Sequence, residues 1–316
     1  MADWYPRFHV TCITHRRDAV YPATVVGIPP QEDVWIGKAT ERIFLTPIKL
    51  TMLPEIKDMN MPASGVMHNL ALVQIDKTYP GQGMKTIHSL WGAGQMMLNK
   101  ILLATDLPVD DVRELLRQTL ERIDFHADLV FGKGPLDVLD HSSSRFAFGS
   151  KLGIDATRKW AEESPPPPPP EGGDTASSER ILVLPVHEPN AEKIAALGSQ
   201  LFADEELSSV KVFILVDDTV DIDDLDTVCW LACANVDPER DVSLAEAPRQ
   251  QMVVDACMKN LQNYNFPREW PNVVTASETT IHAVDQKWEQ LGLGNLVTSP
   301  SLKYLKMKKG DGAVVE

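Results

Sequence analysis

The sequence predicts an α/β protein with a strand–helix unit that occurs twice. Three observations predict it. Apolar runs of strand length alternate with stretches of 3.6-residue periodicity. The segment Ile101–Asp128, ILLATDLPVDDVRELLRQTLERIDFHAD, matches Ile214–Asp241, ILVDDTVDIDDLDTVCWLACANVDPERD, at an offset of 113 without a gap. Between the two copies lies ESPPPPPPEGGDTASSE, whose six prolines favour an extended rod and whose Gly/Ser-rich continuation is flexible, as in an interdomain linker.

In chain order, Phe8–His15 and Ala23–Gly27 read as strands, the first with no element before it. PPQED then turns into a helix over Asp33–Phe44, with acids in its first turn and Val34, Ile36, Ala39, Ile43 and Phe44 apolar. Pro47 is expected to end or bend that helix. Met67–Ile75 reads as a strand, Gly83–Asn99 as a helix, Lys100–Thr105 as a buried strand and Val109–Arg122 as a helix. In the repeat, Asp110 and Asp111 fall on Asp223 and Asp224, and Asp124 and Asp128 fall on Asp237 and Asp241. Val109, Val112, Leu115 and Ile123 fall on Ile222, Leu225, Val228 and Val236, the buried stripe of one helix. IDAT at Ile154–Thr157 echoes VDAC at Val254–Cys257. The expected layout is residues 1–50, then an α/β unit over 51–162, a linker over 163–180, a second unit over 181–298 and a tail over 299–316.

A chain of 316 residues is long enough for two cores. A formal net charge of −15 argues against nucleic-acid and anionic-membrane partners, which need clustered Lys and Arg. The cationic cluster Lys303–Lys309 reads as a solvated tail. No apolar run approaches the length of a bilayer span, and the N-terminus has no signal-peptide pattern, so the expectation is a cytoplasmic protein without a membrane span. Four scattered cysteines do not form a disulfide framework; Cys229 and Cys233 share a helix face and read as packed thiols.

Candidate chemistry is sparse. His9 and His15 share a strand face without an acidic ligand fixed nearby. Asp140 and His141 are neighbours in GPLDVLDHSSS, but adjacency does not make a dyad, and no nucleophile elbow surrounds Ser142–Ser144. Trp91, Gly92 and Gly94 in LWGAGQMMLNK mark either tight helix packing or a flat ligand beside the helix; spacing alone favours packing. Glu32, Asp33, Lys38 and Glu41 form a charged cluster sufficiently explained by a helix start, although paired carboxylates can also do acid/base work when one is buried.

One stretch goes further. YPATVVGIPPQEDVWIGKATERIF, Tyr21–Phe44, closely resembles the UbiD-type decarboxylases, which include carboxy-lyases of quinone biosynthesis. The resemblance continues in order through LPEIKDMNMPASGVMHN, YPGQGMKTIHSLWGAGQMMLNKILLATD and GPLDVLDHSSSRFAFGSKLGIDATRKW, and returns in REWPNVV and VDQKWEQLGLG. It implies non-oxidative decarboxylation of an aromatic or unsaturated acid. The implied cofactors are prenylated flavin mononucleotide (prenylated FMN) and a divalent metal, manganese or magnesium, with potassium. It implies a homo-oligomer. It also implies that Phe8–His15 is a late strand of the family's flavin-binding split barrel. The catalytic glutamates, their arginine and the metal ligands would then lie before Tyr5, in a missing N-terminal catalytic region on the same or a separate chain. No catalytic or metal-binding residue is therefore assigned, and the isolated chain is expected to be inactive. By the same resemblance Glu32, Asp33, Ile36, Trp91, Gly92 and Gln95 approach the cofactor, and Pro135, Leu136 and Leu139 line the substrate side. WGAGQ stands where some relatives place a lysine near the flavin. The alternative is a non-catalytic assembly or regulatory subunit paired with a separate catalytic half.

Overall fold

A computed structural model describes residues 4–21, 23–163 and 180–315. Helix α1 spans Glu32–Thr51 and leads into a first unit made of β1 (Ile56–Asn60), β2 (Leu70–Ile75), α2 (Gln82–Trp91), β3 (Ile101–Thr105), α3 (Val112–Arg122), β4 (Leu129–Pro135) and β5 (Phe148–Ala156). A second unit follows with β6 (Ile181–Val186), α4 (Ala191–Ala203), β7 (Val212–Asp217), α5 (Leu225–Asn235), the short α6 (Pro238–Asp241), β8 (Val242–Leu244), β9 (Met252–Asp255) and the short α7 (Leu261–Tyr264). Beyond it, β10 (Trp270–Pro271) pairs with β11 (Val314–Val315), and α8 (Glu278–Asp285) lies between them in sequence. The mixed α/β class read from the sequence is what the chain adopts. The linker expected over 163–180 falls almost wholly outside the described residues.

The first sheet has the order β1-β2-β3-β5-β4, with β2, β3 and β5 parallel and both edge strands antiparallel. The second has the order β6-β7-β9-β8, with β6, β7 and β9 parallel and β8 antiparallel at the edge. Its order therefore reproduces that of β2-β3-β5-β4. Single hydrogen bonds match as well. Lys100 N and Ile101 N donate to Asn69 O, as Lys211 N and Val212 N donate to Arg180 O. Leu152 N donates to Lys100 O, as Met252 N donates to Lys211 O. In the strands the correspondence is thus Ile101 with Val212, not with Ile214 as the gapless alignment has it. The two residues are absorbed in the strand–helix loop, and the offset of 113 holds again at the helix, where Val112 and Leu225 each begin one.

Several sequence expectations are corrected. Phe8–His15 and Ala23–Gly27 form no strand: their side chains are largely exposed, Phe8 to 89%, and among the described residues no strand pairs with them. A strand persists only where its N–H and C=O groups find a ladder partner, and none is present for them. Helix α1 does not end at Pro47. It continues to Thr51 because Ile48, Phe44 and Leu45 pack into the first core, which outweighs the hydrogen bond that proline removes. Helix α2 stops at Trp91; Gly94 takes a left-handed φ of 53°, and a 3-10 turn over Gly94–Leu98 replaces the rest of the expected helix. Helix α3 starts at Val112, where the Asp111 carboxylate accepts from Glu114 N, so the paired aspartates mark a helix start as expected.

Buried lysines join the apolar cores. Lys77, Lys100, Lys151 and Lys259 are all at most 2% exposed. Burial of ammonium groups demands partners, and each finds carboxylates or carbonyls. The partners repeat between units. Lys159 pairs with Asp128 and donates to Asp155 O; Lys259 pairs with Asp241 and donates to Asp255 O.

Candidate functional site

The two units meet where the end of α5 rests against the loop that follows β4. Asn69 Nδ2 donates to Cys233 O at 3.2 Å, Lys100 Nζ reaches Ala234 O at 3.4 Å, and Ser150 Oγ donates to Asp237 Oδ1. Lys100 Nζ also donates to Asp140 Oδ2 at 2.8 Å and Ser142 Oγ at 3.0 Å. Asp140 Oδ1 accepts from Ser142 N and Oγ at 3.0 and 2.7 Å. Burial alone would raise the Asp140 pKa, but the charge and hydrogen bond of Lys100, helped by Ser142, hold it below the usual carboxylate range. Arg268 clamps the same loop, donating to Ser143 O at 2.8 Å and Asp140 O at 3.2 Å.

This network presents His141 to a cavity of about 300 Å³. The His141 Nε2–H donates to Asn235 Oδ1 at 3.0 Å, and the ring meets Trp270 edge-on with centroids 4.6 Å apart. Burial pushes the imidazole pKa down to about 4, so the ring is neutral at pH 7. Trp230, Trp270, Val26, Met67 and Val273 give the cavity apolar walls, while Asp33, Gln31 and Asn272 supply polar edges. Among the described residues no Lys or Arg lines it. The arrangement suits a flat apolar or aromatic group flanked by a neutral imidazole and one carboxylate.

The sequence-predicted residues divide. Asp33 and Leu139 line this cavity, and Leu139 is 85% exposed. Glu32 and Ile36 are exposed on α1 near its start and do not line it. Trp91, Gly92 and Gln95 lie elsewhere. Trp91 packs over β4 and β5, where a Cβ on Gly132 or Gly153 would come within 3.2 or 3.1 Å of its ring. Lys151 Nζ stands 6.0 Å from the centroid of that ring and donates to Met97 O and Asn99 O. Tight packing is thus the local reason for the small residues around Trp91. Gly92 and Gln95 are exposed, and Pro135 is exposed at the end of β4. Leu136 is buried, and a Cβ on Gly149 would come within 2.7 Å of it. The charged cluster also resolves structurally: Glu41 is buried, accepts from Met61 N at 2.7 Å and pairs with Lys38.

Sequence reasoning missed Lys100, Asn235 and Trp270. Their signal exists only for Lys100, a charged residue at the head of an otherwise apolar strand. Asn235 and Trp270 join the site from segments 94 and 129 residues beyond His141; no local pattern marks Asn235, and REWPNVV, which holds Trp270, resembles the family's tail without pointing to His141. Among the described residues no three His, Cys, Asp or Glu side chains converge as a metal site, and no helix is long and apolar enough to cross a membrane.

Residues 34–156 and 174–261 match the family model described as the 3-octaprenyl-4-hydroxybenzoate carboxy-lyase C-terminal domain. An uncharacterized protein of Archaeoglobus fulgidus is 51% identical over 162 residues, covering 50% of this chain and 34% of that protein. An uncharacterized protein of Helicobacter pylori strain J99 is 31% identical over 302 residues, covering 90% of this chain and 48% of that one. The chain spans about half the length, or less, of the curated relatives it matches. Among solved structures, the UbiD-class enzyme HmfF from Pelotomaculum thermopropionicum in complex with FMN is 22% identical, with a TM-score of 0.36 over 40% of this chain and 28% of that one. The vanillic acid decarboxylase of Sedimentibacter hydroxybenzoicus in open form is 21% identical, with a TM-score of 0.35 over 52% of this chain and 32% of that one.

Proposed function

Because this chain belongs to the UbiD family of carboxy-lyases, we propose that it supplies the C-terminal part of an enzyme that decarboxylates an aromatic or unsaturated acid of the quinone-precursor type. The observation that carries this reading is the family match over both α/β units. On this reading the cavity beside His141 is a wall of the substrate site. Trp270 excludes water, Leu139 and Asp33 stand at its edge, and the neutral His141 imidazole orients a hydroxyl or ring substituent.

Prenylated FMN and its metal belong to this reading, but the described residues do not by themselves fit the whole nucleotide. The cavity walls suit a flat ring, yet no cation lines them to hold a phosphate, and no metal-ligand cluster stands among the described residues. We assign the cofactor's phosphate, the metal and the proton-transfer acids to a region outside this sequence, carried on the same chain or on a partner. The shorter span of this chain relative to its relatives supports that assignment.

The matched strand order, matched backbone bonds and matched Lys–Asp–Asp clusters support reading the two sheets as copies of one strand–helix unit. The second copy docks on the first through Cys233–Asp237, so its role is to complete the cavity rather than to extend the sheet.

The test is to read the DNA upstream of the Met1 codon. The proposal expects an open frame that continues without a stop into a segment carrying the family's acidic residues. A ribosome-binding site preceded by an in-frame stop would overturn the single-chain form and turn the search to a separate catalytic subunit.

A further inference from the structure

The Asn235 amide decides which nitrogen of His141 carries the proton. Strand β9 ends at Asp255, and Ala256 N donates to Leu215 O of β7 at 2.9 Å, so the sheet fixes the Ala256 carbonyl. That carbonyl accepts from Asn235 Nδ2 at 2.8 Å. A carbonyl oxygen can only accept, so the amide stands with its nitrogen toward Ala256 and its oxygen toward His141. The reversed amide would set two acceptors against each other where Asn235 is 4% and Ala256 0% exposed. The amide oxygen can likewise only accept. Its 3.0 Å contact with His141 Nε2 therefore needs the hydrogen on Nε2, and the neutral ring carries its lone pair on Nδ1.

That lone pair is open. Among the described residues His141 Nδ1 closes no hydrogen bond, yet it is not one of the buried polar atoms cut off from solvent. His141 lines the cavity together with Asn235 and Trp270, so the accessible nitrogen opens on the cavity. The ring is held there from two further sides. Trp270 meets it edge-on at 80°, and the loop that carries it is anchored through Asp140 to Lys100. The repeated unit itself does not require the amide. The last residue of α3, which matches Asn235 at the offset of 113, is Arg122, and it pairs with Asp106 at 2.9 Å.

We propose that Asn235 is a positioning residue of this cavity: it holds His141 as the Nε2–H tautomer, so that Nδ1 accepts a hydrogen bond from a hydroxyl on the bound ring. The proposal rests on the reading of the cavity as a substrate wall and adds the direction of the hydrogen bond, in which the ligand donates and the protein accepts. A ring hydroxyl is thereby favoured over the corresponding methyl ether, which has no hydrogen to give. With the opposite tautomer the protein would donate, and hydroxyl and ether oxygens would both serve.

The experiment is a long-range proton–nitrogen NMR correlation spectrum of the 316-residue chain, isotope-labelled at its histidine nitrogens, with His141→Gln identifying the resonances. It is recorded at about pH 8, above the ordinary histidine pKa. His141 Nε2 is expected to be protonated and Nδ1 not. Asn235→Leu is expected to let the ring exchange between tautomers, and Asn235→Asp, which still accepts from Nε2–H, to restore the single form; a merely structural role would not separate the two variants in this way. Phenol is expected to shift the Nδ1 resonance saturably, and anisole to bind about fivefold more weakly, the effect of one net hydrogen bond. A proton on Nδ1, a mixture of tautomers in the parent chain, a single tautomer persisting in Asn235→Leu, or phenol binding no tighter than anisole, binding of neither included, would overturn the proposal. If Asn235→Leu fails to fold, the parent spectrum and the comparison of phenol with anisole decide it. Neither readout involves decarboxylation, so failure here leaves the carboxy-lyase reading standing, and failure of that reading leaves the tautomer assignment standing.

Discussion

Lys100 Nζ lies 2.8 Å from Asp140 Oδ2, with both side chains at most 1% exposed, and the same ammonium reaches across to Ala234 O of the second unit. One ion pair therefore holds the loop that carries His141 and ties that loop to α5. Removing one partner of such a pair leaves an uncompensated buried charge. Lys100→Ala is expected to destabilise the fold by about 3–5 kcal/mol in urea unfolding. Lys100→Met combined with Asp140→Leu is expected to recover a large part of that loss, because no buried charge then remains.

The pH profile should separate two groups. The His141 pKa is lowered to about 4 by burial, below its unfolded value of 6.5, so the native state binds this proton less readily than the unfolded chain. Its contribution is complete above the unfolded pKa and is lost as pH falls from 6.5 to about 4, at a slope approaching about 1.4 kcal/mol per pH unit. Asp140, held below its ordinary value, loses its contribution only at lower pH, as the carboxylate protonates. Urea unfolding of His141→Gln between pH 7 and pH 4 should show a flatter profile than the parent chain. An unchanged slope would count against a neutral, buried imidazole.

Gly83→Ala should be costly although the residue lies in a helix, where alanine is normally preferred. The added Cβ would stand 2.2 Å from Asp155 Oδ1, a distance relieved by a shift of α2 or by turning away the Asp155 carboxylate, which gives up its hydrogen bonds from Thr157 N and Oγ1. A loss of about 1–3 kcal/mol is expected. Glu192→Ala, at the matching position of α4, should change stability by less than about 0.5 kcal/mol, since Glu192 is exposed.

Trp270 is 2% exposed and is wedged between His141 and Phe266, with ring centroids 4.6 and 5.3 Å away. Trp270→Ala is expected to cost about 3–5 kcal/mol. It should also admit water beside His141 and move its pKa back toward 6.5, read by NMR titration of the ring protons.

Much of the architecture is legible in sequence, because apolar alternation and helix starts are local signals. Asp111 marks the α3 N-terminus, and the apolar run after Lys100 marks β3. The misreadings have physical causes. Pro47 carries a local penalty that the packing of Ile48 overrides. Phe8–His15 has the composition of a strand, yet strands depend on partners that composition does not supply. Apart from these, Trp91, Gly92 and Gln95 are placed near the cofactor by resemblance alone, and what the structure adds is that Trp91 packs against the glycines of β4 and β5. The cavity beside His141 is the least legible part, since Asp33, Leu139, His141, Asn235 and Trp270 converge only after both units have folded and docked.

The measurement that bears most directly on the account is release of carbon dioxide from a panel of hydroxybenzoates in the presence of prenylated FMN and manganese. The 316-residue chain and the product of the continuous reading frame around it would be assayed side by side. The account predicts release by the longer protein only, with Leu139→Trp in that protein lowering kcat/KM at least tenfold by crowding the cavity. Turnover by the 316-residue chain alone, or a longer protein that releases no carbon dioxide from any acid in the panel, would contradict it.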